Sequence, residues 1–142
     1  MRQSISVDVD AAPERVWEVM ADVERWPEWT TTVTAVTRLE AAPLGLGSRV
    51  RVEQPRLPTT EYVVSEYEAG RGFTWSATGP GVRTTARHTI EPRPGGGSRV
   101  VLTVQQSGPL GEVMGRLFFR RLTERYLATE AAGLKARSES GS

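Results

Sequence analysis

The sequence predicts an α+β domain: a curved, seven-stranded antiparallel sheet wrapped around one long C-terminal helix, with two short helices between strands 1 and 2. Three observations point there. Residues 109–136 carry the only long helical pattern in the chain. Nearly everything before them reads as short alternating segments punctuated by Gly and Pro. A sheet with one apolar face and a helix with one apolar stripe must bury those surfaces against each other. Where the two do not close completely, the gap is a pocket.

The elements follow in order. Residues 3–9 alternate, with Ile5, Val7 and Val9 on one face, as in a half-buried strand. Ala12-Pro13-Glu14 starts a helix, since Pro suits the first helical position and an acid in the first turn complements the helix dipole. Val16, Val19 and Met20 share its apolar face, with Trp17 beside them. Asp22 can cap a second short helix that Pro27 limits, with Trp26 and Trp29 on either side of that proline. Strands are predicted at 32–39, 48–54, 59–67, 72–78, 82–91 and 98–106, separated by Gly/Pro connections. The last four, joined by short turns, make an antiparallel meander. Ser107-Gly108-Pro109 opens the final helix, and Leu110, Val113, Met114, Leu117 and Phe118 form its apolar stripe, continued by Leu122 and Tyr126. Gly111 and Gly115 share one face and weaken its first turns, which predicts a gate at 110–118. Residues 1–137 are expected to form the single domain and 138–142 a disordered tail.

Composition excludes several classes. The 142 residues suit one domain, and the absence of Cys rules out disulfides and thiolate metal sites. With one His, a metal site is not expected, and nothing in the sequence calls for a cofactor. A formal net charge of +1 gives no reason to expect nucleic acid as a partner. The first ten residues alternate without an apolar signal region, and no apolar run approaches the ~20 residues of a membrane span. The expected location is therefore cytoplasmic, and the expected partner an apolar small molecule or lipid.

Alternation also assigns faces. Val50 and Val52 point one way in the 48–54 strand, and Tyr62, Val64 and Glu66 share parity in the 59–67 strand. Phe73, Trp75 and Ala77 go together, as do Val82, Ala86, His88 and Ile90. Val100, Leu102 and Val104 point inward, with Gln106 in register at the strand end. His88 is the natural general acid or base near neutral pH, and the commonplace alternative is a core His bonded to a neighbour. Tyr62 and Tyr126 could donate to an enolate oxygen. Glu66, if buried, would have a raised pKa and could act as an acid; if the strand bulges, it meets water instead. Trp26, Trp29, Phe73 and Trp75 could wall a flat ligand, a role that overlaps with simple core packing. Together with Val50, Val52, Val64, Ala77, Ala86, Leu102, Val104, Gln106, Val113, Met114, Leu117 and Phe118, they make up the expected pocket lining. Arg116, Arg120, Arg121 and Arg125, with Glu124 and Glu130 interspersed, read as a solvated helix face.

Two stretches carry a family resemblance. Residues 7–29, VDVDAAPERVWEVMADVERWPEW, combine a strand, an Ala-Pro helix start, Val-Trp within the helix, an Asp and then Trp-Pro-x-Trp. His88-Thr89-Ile90-Glu91-Pro92, a glycine-rich turn and Ser98-Arg99-Val100 form the second. This pattern resembles the START-like or SRPBCC superfamily, the helix-grip fold of the birch-pollen allergen, and in particular its polyketide cyclase/dehydrase-type members. The resemblance covers residues 3 to about 136 and implies a seven-stranded sheet gripping the last helix around a cavity. It implies binding of lipids, sterols, polyketides or other apolar molecules, with cyclase or dehydratase activity in some members and none in others. GxSxG, P-loop, GxGxxG and HExxH motifs are all absent. Three readings follow: a carrier of an apolar ligand, a cyclase or dehydratase using His88 with Tyr62 or Glu66, and an interaction module with only a vestigial cavity.

Overall fold

The structure is a computed structural model and describes residues 1–110 and 118–141. In chain order the elements are β1 (Arg2–Val9), α1 (Pro13–Ala21), a 3-10 helix (Val23–Glu28), β2 (Ala35–Arg38), β3 (Arg49–Glu53), β4 (Thr60–Glu68), β5 (Gly72–Gly79), β6 (Val82–Pro92), β7 (Ser98–Ser107) and α2 (Phe118–Ser140). The seven strands form one antiparallel sheet in the order β1-β7-β6-β5-β4-β3-β2. From β2 to β7 each strand pairs with the next, as short connections between alternating segments require. β1 pairs with β7. The Met1 amine donates to the Gln106 carbonyl at 2.9 Å, and the Gln106 amide donates back to the Met1 carbonyl at 2.8 Å.

One face of the sheet carries the core. Val9, Val50, Val64, Val100 and Leu102 come from strands, and Val16, Met20, Val23 and Trp26 from the two short helices. α2 adds Leu127, Ala131 and Leu134, spaced one helical turn apart, and packs against β1, β7 and α1. α1 starts with Pro13 at its first position and Glu14 in its first turn. Asp22 makes no cap bond; its carboxylate lies 3.4 Å from Arg25 instead.

Three local features depart from the sequence reading. The first is a bulge in β4. Val64 pairs with Trp75, yet Glu66, not Ser65, pairs with Thr74. One extra residue shifts the alternation, so everything beyond it changes face. Glu66 therefore leaves the face of Tyr62 and accepts a hydrogen bond from Arg87 at 3.0 Å. Tyr67 turns inward in its place, with its ring 5.7 Å from that of Trp17.

The second is the C-terminus. α2 runs through Ser140, so most of the stretch expected to be a disordered tail is helical. Ser138 is fully buried. Arg15 donates to the carbonyls of Ser138 and Arg137 at 3.3 and 3.1 Å, which covers groups that a helix end leaves open. Glu139 accepts from Lys135 at 2.7 Å and from the Asp10 amide at 2.8 Å.

The third is the approach of α2 to the first helices. A Cβ on Gly133 would collide with the Trp29 carbonyl oxygen, so glycine lets the helix ride directly on that backbone. Trp29 is thereby committed to packing. At the other end, Gly111, Val113, Met114, Gly115 and Leu117 lie outside the described residues, as does the side chain of Phe118. The expected gate at 110–118 falls largely within that stretch.

Candidate functional site

Between the inner face of the sheet and α2 lies a cavity of about 480 Å³. Trp26 from the 3-10 helix, Tyr62 from β4 and Trp75 from β5 form its aromatic wall. Tyr62 stacks on Trp75 with centroids 5.3 Å apart, and Trp26 packs at a tilt 5.4 Å from Trp75. The Trp26 indole is pinned by its N–H, which donates to the Met20 carbonyl at 3.0 Å. Val52, Ala77, Ala86, Leu102, Val104 and Leu127 supply an aliphatic surface. Exposed Pro58, Thr59 and Glu61 line the cavity on one side and exposed Thr78 and Gly79 on another, so it reaches solvent near the β3–β4 and β5–β6 connections.

Polar groups also meet this space, several of them threonines. His88 sits on β6 directly across from Phe73, held in a close β5–β6 approach; a Cβ on Gly72 would strike the His88 carbonyl. Its Nδ1 lies 3.2 Å from the Phe73 carbonyl oxygen and donates to it. Its ring is stacked on Phe73 at 4.5 Å and lies 5.4 Å from both Trp26 and Trp75. Burial among these rings pushes its pKa down to about 4, outweighing the carbonyl contact. His88 is therefore neutral at pH 7, and its remaining ring nitrogen is a hydrogen-bond acceptor.

Glu130 lines the same cavity from α2. It follows Leu127 by three residues and precedes Leu134 by four, so it lies on the buried stripe. No hydrogen bond or ion pair to its carboxyl occurs among the described residues. It is half-buried, and desolvation pushes its pKa up to about 7. Tyr62 is buried, and desolvation reinforced by the negative charge of Glu130 pushes its phenol up to about 12. Tyr62 is thus a neutral donor close enough to feel Glu130. Gln106 of β7 lines the cavity, and its Oε1 is buried without a partner. Tyr126 also lines it while its hydroxyl donates to the Pro55 carbonyl in the β3–β4 connection.

The structure brings together Trp26, Val52, Tyr62, Trp75, Ala77, Ala86, His88, Leu102, Val104 and Gln106 as expected lining residues. It separates others. Val50 and Val64 are sealed in the core away from the space, and Phe73 lies behind His88. Trp29 packs on Trp26 and under Gly133 instead of lining the cavity. Glu66 is on the outer face with its side chain 59% exposed, and the Arg87 hydrogen bond holds its carboxylate below the usual range. It is too far out, and too firmly ionised, for the acid role. Glu130, expected on the solvated arginine face, faces the cavity instead, and the Leu127–Leu134 spacing carries the signal for that inward position. Arg120, Arg121 and Arg125 are exposed. Among the described residues no cluster of three or more His, Asp or Glu could hold a metal ion. Among them too, no helix is long and apolar enough to cross a membrane.

Comparisons with known proteins agree with this architecture. A family described as "Polyketide cyclase / dehydrase and lipid transport" matches residues 2–139. The Zhui aromatase/cyclase from Streptomyces sp. R1128 superposes with a TM-score of 0.75 at 21% identity, over 98% of this chain and 93% of that one. A START superfamily protein from Mycobacterium smegmatis superposes with a TM-score of 0.77 at 15% identity, over 99% of each chain. Both likenesses are those of the fold. An uncharacterised protein of Mycobacterium tuberculosis is 42% identical over 48 residues, which span 34% of this chain and 29% of that relative.

Proposed function

The chain belongs to the polyketide cyclase/dehydrase and lipid transport family, and from that premise we propose that it binds a largely apolar, ring-containing small molecule between the sheet and α2. The observation that carries this reading is the cavity of about 480 Å³ with its wall of Trp26, Tyr62 and Trp75. Its volume falls in the range of small-molecule sites, roughly 300–1,000 Å³. A space of this size argues against an interaction module with only a vestigial cavity. The wall offers flat faces at stacking distance, and the polar groups elsewhere in the lining would orient a guest.

Tryptophan fluorescence and native mass spectrometry with a panel of sterols, polyphenols, polyketides and lipids test the proposal. A ring-containing ligand should quench Trp75 and Trp26 and survive as a 1:1 complex, and a Trp75→Leu protein should bind it ~10-fold more weakly, the loss of about one good ring contact. Retention of no panel member, with unchanged fluorescence, would refute it.

Glu130 favours a second reading, proton transfer of the cyclase or dehydratase type. An acid with a pKa of about 7 is poised to move protons at neutral pH, whereas His88 at about 4 is a poor acid partner there. In a dehydration the Glu130 carboxylate would remove a proton from the carbon beside a ketone and return one to the departing hydroxyl. The C–H and C–O bonds break, a C=C bond forms, and water leaves. Tyr62, a neutral donor, would hold the enolate oxygen. A Glu130→Gln protein that retained full turnover on a substrate dehydrated by the unaltered protein would end this reading.

A further inference from the structure

We propose that Glu130 selects the charge of the ligand: the cavity accepts an apolar ring scaffold that carries a protonated amine, and turns away the matching carboxylate. The inference rests on the cavity-binding reading above and deepens it. Glu130 is an acid inside an aromatic and aliphatic enclosure, with no cationic partner among the described residues. Among the groups that line the cavity with it are Tyr62 of β4, Arg87 and His88 of β6, Gln106 of β7, and Thr123 and Tyr126 of α2. Of these Arg87 carries a positive charge at pH 7, and it is paired with Glu66. The charged residues at the edge are already engaged on exposed surface: Glu61 lies 3.8 Å from Arg49, and Arg87 lies 3.0 Å from Glu66.

A guest carboxylate would bring a second negative group beside Glu130 while the lining cation, Arg87, is already paired with Glu66, and both acids would be desolvated together. A guest ammonium supplies the partner that Glu130 lacks. The unpartnered Gln106 Oε1 and the second ring nitrogen of His88 offer acceptors in the same lining and no cationic donor. The faces of Trp26, Tyr62 and Trp75 add attraction for a cation that an anion would not feel. Fatty acids are thereby poor candidates, and ring-bearing amines good ones.

The test uses three probes that share a naphthyl ring and a two-carbon side chain and end in a cationic, a neutral and an anionic group: naphthylethylamine, naphthylethanol and naphthaleneacetate. Each is titrated by calorimetry into the full chain and into its Glu130→Gln variant, with the fold of the variant checked by circular dichroism. The unaltered protein should bind the amine ~10- to 100-fold tighter than the acetate, the consequence of one to two units of pKa relief at Glu130. The Gln variant should lose most of that preference, with amine binding weakened and acetate binding unchanged or improved. A second measurement needs no variant: in buffers of different ionisation enthalpy, amine binding near pH 7 should release about half a proton, as Glu130 gives up the proton it shares at that pH. Equal affinities for amine and acetate, or amine binding without proton release, would overturn the charge inference while leaving the cavity reading intact. Failure of all three probes to bind would count against both.

Discussion

Replacing Glu130 by Gln should stabilise the protein, and only toward alkaline pH. The carboxyl is raised from the ordinary 4.5 to about 7 by burial. A difference of that size corresponds to about 3 kcal/mol between its two protonation states. The sign follows from proton counts. Below about pH 4.5 the group is protonated in both folded and unfolded chains, and the carboxyl carries no penalty. Between about 4.5 and 7 the unfolded chain has lost a proton that the folded chain keeps, so stability falls as pH rises. Above about 7 the full penalty for a buried carboxylate is present. Gln has nearly the same shape and no charge. Glu130 is only half-buried, and solvent screening reduces the expected gain to ~2 kcal/mol. Urea unfolding of both proteins at about pH 4, 6 and 8.5 measures it, through midpoints at unchanged slope. Asp8, Glu24, Glu40, Glu66 and Glu139, whose lowered pKa values act in the opposite sense, are common to both proteins and cancel in the difference. A Gln variant whose advantage is the same at all three pH values would refute the reasoning.

Three further outcomes are expected. His88 is depressed from 6.5 to about 4 by burial, so its contribution is complete above about pH 6.5 and is lost as pH falls toward 4; a His88→Gln variant should shed up to ~3 kcal/mol of that acid sensitivity in the same unfolding series. Gly133→Ala should destabilise by ~1–3 kcal/mol, because the new methyl displaces α2 from the Trp29 carbonyl, and a thermal melt reads the loss. Glu66→Gln should change stability by less than ~1 kcal/mol and leave ligand affinity unaltered, since its pair with Arg87 is exposed; a clear loss of binding would return Glu66 to the site.

The container was legible because its rules are local. Alternation in residues 98–106 located Val100, Leu102 and Val104 correctly, and the Ala-Pro-Glu start of α1 needed only dihedral preference and dipole. Parity within one strand also aimed His88 and Trp75 inward. What failed was anything that depended on an insertion or on a neighbour from elsewhere in the chain. The β4 bulge moved Glu66 to the outer face and Tyr67 to the inner one, and no residue near Ser65 announces it. For Trp29 the sequence leaves a ligand wall and core packing open; the glycine that decides for packing lies on α2, 104 positions later by numbering from 29 to 133. Glu130 was misread for a different reason. Its charge outweighed its position, although Leu127 and Leu134 flank it at helical spacing on the buried side. Periodicity says which face a residue takes; it does not say that the face is lined by empty space, where an acid can be tolerated.

The contact at Gly133 gives α2 a fulcrum. The helix touches the Trp29 backbone there with no side chain between, so the contact has no slack to give. Thr123, which lines the cavity, lies ten residues away along the same helix, about 15 Å at 1.5 Å per residue. A tilt of only ~4° about Gly133 would carry Thr123 through ~1 Å, and Glu130, three residues from the fulcrum, through about a third of that. Any tilt that suited the far end to the thickness of a guest would thus leave the carboxyl nearly in place. On that geometry fit would be set at one end of the lever and charge near its pivot.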